Sequence, residues 1–170
     1  MSPDVGGPWR RLPISSLSQS NHRHILECAR EYDTRLTKSG GDPVKPIRFS
    51  EHVLSLLEKS KVLRLRAGTG EHRFIGIWFV VVEGRVFVRS WSVKPDGWYS
   101  TFLREPRGAI QLGRSAISVR AVPLRTKAVR DAVDRAYRER YSTPGALRYA
   151  ADLCQAQSRA TTIELTPVGG

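Results

Sequence analysis

Arg73–Ser92, RFIGIWFVVVEGRVFVRSWS, is the stretch whose reading decides the fold. It contains the densest apolar run of the chain, Phe74 to Val82, then a two-residue break at Glu83-Gly84, then an alternating segment from Arg85 to Trp91. A short apolar run rich in β-branched and aromatic residues and bounded by turn signals reads as a buried strand. An acidic residue followed by Gly between two such runs reads as a tight hairpin, because Gly supplies the positive φ of the primed turns. In the second strand Val86 and Val88 point one way, and Arg85, Phe87, Arg89 and Trp91 the other. The second face mixes cations with aromatics. It is therefore expected to meet a ligand or another subunit, and the segment just after it, Lys94 to Phe102, is the expected place for chemistry.

The remaining elements are read outward from this hairpin. Ser50 is placed to cap a helix that opens with Glu51, carries Val53, Leu54, Leu56 and Leu57, and ends near Ser60. Leu63, Leu65 and Ala67 alternate with Arg64 and Arg66, which predicts a half-buried strand before the turn Gly68-Thr69-Gly70. On the far side, Pro95-Asp96-Gly97 is a turn. Trp98, Tyr99, Phe102 and Leu103 then predict a short helix that stops before Pro106. Gly108–Leu112 and Ile117–Val122 predict two strands joined by a turn at 113–115. Thr126 is placed to cap a helix over Lys127–Tyr141, whose Val129, Ala132, Val133, Ala136, Tyr137 and Tyr141 form one stripe. Pro144 opens a helical segment to Gln155, and Thr161–Leu165 predicts a last strand. The sum is an α+β fold with six mostly antiparallel strands and flanking helices. Short alternating strands favour a closed barrel, since closure removes edges, and the last strand is expected to return and fill a gap in it.

Residues 1–20 carry Pro, Gly and Ser without periodicity and read as a flexible N-terminal segment. Ile25, Ala29, Tyr32 and Leu36 recur at helical spacing behind Asn21, so 21–48 reads as a helical extension, with the barrel domain over 49–167. A chain of 170 residues is expected to form one principal domain with a real core. With 40% apolar and 26% charged residues it reads as a soluble globular protein. No apolar stretch approaches the roughly 20 residues of a membrane span, and the N-terminus lacks the apolar stretch of a signal peptide, so a cytoplasmic location is expected. The net charge of +12 fits anionic partners, cofactors or phosphorylated substrates. The basic residues are dispersed and no nucleic-acid motif appears, so nucleic acid is not the expected partner.

Several residues invite chemical readings that their spacing does not support. Cys28 and Cys154 lack any CxxC partner and read as small buried hydrophobes. His22 and His24 are two apart, where ligands on one helical face need four, and His52 and His72 are isolated. No metal site is expected. No G-x-S-x-G, Walker A or Rossmann fingerprint is present. Trp78, inside the apolar run, reads as core.

The stretches Ile77–Trp91 (IWFVVVEGRVFVRSW), Gly97–Leu103 (GWYSTFL) and Arg107–Gly113 (RGAIQLG) resemble the split β-barrel superfamily of flavin- and deazaflavin-binding proteins, the pyridoxamine-phosphate-oxidase-like group. Together with Val133–Tyr141 and Ser158–Pro167 they are most similar to the bacterial family DUF2255. The resemblance runs from Phe49 to Pro167 and implies a six-stranded antiparallel split β-barrel. It further implies a homodimer with a cofactor, FMN or coenzyme F420, held at the interface, and an oxidoreductase acting on a small organic substrate. By the same resemblance Arg89, Ser90, Ser92 and Lys94 would bind the cofactor phosphate, a role for which arginine and hydroxyl groups are chemically suited. The chain departs from that pattern at Gly97-Trp98-Tyr99, where flavin binders carry small and basic residues. The departure keeps an alternative open: a cofactor-free ligand-binding protein, or a non-redox enzyme, using the same groove. Trp91, Trp98 and Tyr99 would then stack on a planar ligand, or else belong to core or interface. Arg89 likewise reads either as an anion binder or as an arginine paired with Asp or Glu.

Overall fold

The structure, a computed structural model, describes residues 47–169. The predicted segments 1–20 and most of 21–48 lie outside the described residues, and so do His22, His24 and Cys28. The first described element, α1 (Glu51–Lys59), is capped as expected, with the Ser50 hydroxyl accepting from the Val53 N–H. Seven strands follow: β1 (Leu63–Ala67), β2 (Ile75–Ile77), β3 (Phe79–Val82), β4 (Arg85–Val88), β5 (Arg107–Leu112), β6 (Ser115–Pro123) and β7 (Ile163–Pro167). Between them lie α2 (Trp98–Arg104), α3 (Lys127–Arg140), α4 (Pro144–Leu153) and α5 (Ala156–Ala160).

Where the sequence predicts six strands, the structure has seven, because the apolar run breaks at Trp78. The two halves serve different neighbours. β2 pairs with β1 (Leu63↔Ile77, Leu65↔Ile75), whereas β3 pairs with β4 (Phe79↔Val88, Val82↔Arg85). The order across the sheet is β2-β1-β5-β6-β7-β4-β3, with every pairing antiparallel. Its two ends are joined by the single residue Trp78, so the sheet curls into a nearly closed barrel. A strand that turns a barrel corner must leave one ladder and enter another, and one out-of-register residue accomplishes this. β7, which follows three helices, fills the gap between β6 and β4, as expected of the last strand.

The hairpin behaves as predicted. Glu83 and Gly84 both have positive φ, 52° and 71°, as a two-residue primed turn requires. The predicted helical segment from Pro144 to Gln155 is α4, which ends at Leu153, and α5 is a further short helix beyond it. Thr126 occupies the N-cap position of α3 but makes no side-chain capping bond.

Two apolar layers result. Inside the barrel, Leu63 and Leu65 of β1, Phe79, Val86, Val88, Ile110, Val119, Ile163 and Leu165 pack together, with Leu57 of α1 and Phe102 of α2 buried in the same cluster. β5 and β1 approach α2 so closely that Gly108 has no room for a side chain. A Cβ there would lie 2.4 Å from the Arg66 carbonyl oxygen and 2.7 Å from the Phe102 ring. Outside the barrel, Val80 and Phe87 pack against Val133, Tyr137 and Tyr141 of the α3 end and Ala150 and Leu153 of α4. This second layer corrects one expectation. Phe87 and Arg89, predicted to face a ligand or another subunit, lie beneath helices of their own chain. The apolar stripe of α3 needs a sheet surface to cover, and Phe87 provides it.

Trp78 belongs to this outer layer. Its ring lies flat on Tyr141, 4.0 Å between centroids and 3° between planes. The Tyr141 hydroxyl accepts from the Phe79 N–H at 3.1 Å and lies within donating distance of the Lys61 and Phe79 carbonyls. The Tyr137 hydroxyl donates to the Trp78 carbonyl at 3.2 Å. Tyr137 on α3 and Tyr141 at its C-cap thus satisfy the backbone groups freed where the strand breaks.

Candidate functional site

Arg89 follows β4 directly and is 3% exposed. Its Nε donates to Thr162 Oγ1 at 2.9 Å. Nη1 donates to Asp134 Oδ1 at 2.5 Å and to the Leu153 carbonyl at 3.0 Å, and Nη2 to the Arg130 carbonyl at 3.1 Å. One guanidinium therefore links the hairpin to the segment before β7, to α3 and to the end of α4. Its partner Asp134 also faces Arg159 Nε at 3.5 Å. Arg159 bonds Asp131, which accepts from Lys127 at 3.0 Å one turn back along α3. The Lys127 hydrogen bond is the main reason the Asp131 carboxyl is held below the usual carboxylate range. The result is a ladder, Lys127–Asp131–Arg159–Asp134–Arg89, that runs from solvent into the buried outer layer.

Ser90 is buried beside Arg89. Its N–H donates to Thr161 Oγ1 at 2.8 Å and its hydroxyl to the Ser92 carbonyl at 2.7 Å. The chain then emerges. Trp91, Ser92 and Lys94 are exposed. The loop that follows is pinned from α2: Ser100 Oγ donates to the Lys94 carbonyl at 2.6 Å, and Arg104 to the Pro95 carbonyl at 3.1 Å.

The three aromatics predicted as a stacking set are divided between two places. Trp91, 48% exposed, has its ring 5.8 Å from Trp78 and 5.8 Å from Tyr149. Tyr149 meets Trp78 edge-on at 6.3 Å and carries the Arg148 guanidinium over its own face. Trp91, Trp78 and Tyr149 form an aromatic shelf at the surface, with Trp91 and Tyr149 exposed. Trp98 and Tyr99 instead sit on α2 against the barrel core. Trp98 is half-buried, edge-on to Tyr99 and Phe102, and Tyr99 is buried. Burial pushes the Tyr99 hydroxyl above its ordinary range, and the charges of Arg130 and Arg125 partly oppose this.

Sequence reasoning missed Asp134, Thr161 and Thr162 as partners of the Arg89–Ser90 segment, and Tyr149 as the third wall of the shelf. No local signal links residues 45 to 73 positions apart. For Arg125, Lys127 and Arg130 a signal does exist. They place cations at the positive end of a helix, against the dipole, with no acidic residue in the first turn. His52 and His72 are exposed. Among the described residues no three His, Cys, Asp or Glu side chains gather as a metal site would require, and no helix is long and apolar enough to cross a membrane.

The family described as "Uncharacterized protein conserved in bacteria (DUF2255)" matches residues 54–165. No curated protein matches. Among solved structures, HutZ, the heme storage protein from Vibrio cholerae, is 15% identical, with a TM-score of 0.47 over 73% of this chain and 93% of that one. A conserved hypothetical protein from Mycobacterium tuberculosis is 14% identical, with a TM-score of 0.45 over 76% of this chain and 86% of that one. A candidate pyridoxamine 5'-phosphate oxidase from Listeria innocua is 14% identical, with a TM-score of 0.45 over 69% and 90%.

Proposed function

We propose that this chain, which belongs to the DUF2255 family, is a split-barrel protein that binds a planar, anionic cofactor of the flavin or deazaflavin class and acts with it as an oxidoreductase on a small organic substrate. The observation that carries the reading is the shelf at Trp91. An exposed indole backed by Trp78 and Tyr149 offers a fixed aromatic face to a flat ring. Exposed Ser92 and Lys94 follow it within three residues, placing a hydroxyl and a cation where a phosphate attached to that ring could be met.

The residues fit such a cofactor unevenly. Trp91, Ser92 and Lys94 are open to a ligand. Arg89 and Ser90 are buried, with their donors engaged inside the protein, so in this reading they position the segment and do not touch the phosphate. Trp98 and Tyr99 hold α2 to the barrel. A bound flavin or deazaflavin would supply the hydride chemistry, and the chain would supply the surface that orients it. We place the protein in a homodimer, as the family resemblance implies. A monomer at micromolar concentration in sedimentation equilibrium would refute that part.

The engaged donors of Arg89 favour a second reading: a ligand-binding split barrel without a flavin, in which the shelf takes another planar anion. One experiment separates the two. Absorption titrations with FMN, FAD and coenzyme F420 are expected to saturate at micromolar concentration with at least one of them and to fail with Trp91→Ala. A flat response to all three would leave the second reading standing.

A further inference from the structure

We infer that the cavity at the start of α3 is a binding site for a phosphate monoester group, formed by Arg125, Lys127, Arg130 and Arg159. The cavity has a volume of about 350 Å³, and its wall is completed by small or apolar groups that include Cys154 and Ala156. Four of the side chains lining it are cationic and none is acidic. Among the described residues, the carboxylates that reach this cluster from the packed elements are Asp131 and Asp134. They pair with three cations, Lys127 and Arg159 at Asp131 and Arg89 and Arg159 at Asp134, and Arg130 lies beside them. These four positive charges against two negative leave a local excess of two.

The arrangement of Arg130 shows what that excess does. Its guanidinium donates from Nε and Nη2 to one backbone oxygen, that of Leu124, and contacts no carboxylate among the described residues. Burial, followed by the charges of Arg159, Arg89 and Arg125, lowers its pKa below the ordinary arginine value. Like charges held together in a partly desolvated wall raise the free energy of the empty cavity, and an anion with more than one charge relieves this. The start of α3 adds to the field. Thr126 makes no side-chain capping bond and the first turn contains no acidic residue, so the helix's own first turn does not neutralise the positive end of its 14 residues. Arginine forks suit tetrahedral oxyanions, and the volume admits a phosphate with a small organic group attached.

This site is separate from the Trp91 shelf and does not rest on the flavin reading. Its ligand could be inorganic phosphate, a phosphorylated metabolite or the phosphate end of a cofactor. The three share the chemistry that the cavity recognises.

Cys154 in the wall provides a reporter. Burial, and then Asp134, push its thiol above the ordinary range, so alkylation is slow and sensitive to occupancy. The experiment is the rate of iodoacetamide alkylation of Cys154 in a full-length Cys28→Ser background, at constant ionic strength, with inorganic phosphate, FMN or riboflavin added. Phosphate is expected to slow alkylation at least about fivefold in a saturable way that chloride does not reproduce. Lys127→Gln and Arg130→Gln should each require about tenfold more phosphate for the same protection. FMN protecting where riboflavin does not would identify a cofactor phosphate as the source; phosphate protecting without FMN would identify a free or metabolite phosphate. An unchanged rate with phosphate, protection equalled by chloride, or wild-type protection in both variants would overturn the assignment. Because the readout needs no flavin, a blank flavin titration and a blank phosphate result remain distinguishable.

Discussion

Arg89 and Arg130 are one hydrogen bond apart, the first donating to the backbone carbonyl of the second. Their surroundings are opposite. Arg89 lies among acceptors from three directions, with a carboxylate at 2.5 Å. Arg130 has one carbonyl and otherwise faces other guanidinium groups. A buried arginine whose donors are filled ties elements together and has little left for a ligand. An arginine held among like charges has unspent attraction for an anion. Two arginines of one cluster thus differ in what their surroundings leave them free to do, which residue type and net charge do not reveal.

The largest effect is expected from removing the carboxylate on the structural side. Asp134→Asn leaves the Arg89 charge buried without its counter-ion, and thermal or urea unfolding should show a loss of about 3–5 kcal/mol. A loss under about 1 kcal/mol would mean that Arg89 is not a clamp. Next in size is Gly108→Ala, a change without charge. The neighbours of the added methyl include a backbone oxygen that cannot swing away, so a loss of about 2–3 kcal/mol is expected. Tyr141→Phe removes the hydroxyl that serves the backbone where β3 begins and should cost about 1–2 kcal/mol. Smallest is Lys127→Gln, on the binding side. Its ion pair with Asp131 is exposed, so stability should fall by no more than about 0.5 kcal/mol while phosphate protection weakens.

The pH dependence of Cys154 alkylation reads the cavity wall directly. The Cys154 thiol titrates above its ordinary range, so its alkylation rate should keep rising beyond the pH at which a free thiol levels off. Neutralising the cavity with phosphate should move that rise further upward, because the anion disfavours the thiolate. A profile matching a free thiol would show that the cavity wall does not shield Cys154.

Much of the fold was legible because its signals are local. Alternation at Leu63, Leu65 and Ala67, the Glu83-Gly84 turn and the apolar stripe on α3 each lie within a few residues of one another, and the structure follows them. The break at Trp78 was not legible. It arises from barrel closure, where one run must pair with two strands distant in sequence, and the run itself contains no Pro or turn dipeptide to mark it. The site was legible only in outline. Periodicity placed Arg89 on the outer face of the hairpin, but whether that face was open depended on α3, 45 residues away. Trp91 was separated from Trp98 and Tyr99 for the same reason: its ring partners, Trp78 and Tyr149, come from a strand break and a distant helix.

The most direct test of the distinction between the two kinds of arginine is an arginine Nε–H NMR spectrum of the labelled protein, titrated with inorganic phosphate at constant ionic strength. The signals of Arg125, Arg130 and Arg159 should move together and saturate while that of Arg89 stays in place. A saturating shift at Arg89 with the other three unmoved would contradict it.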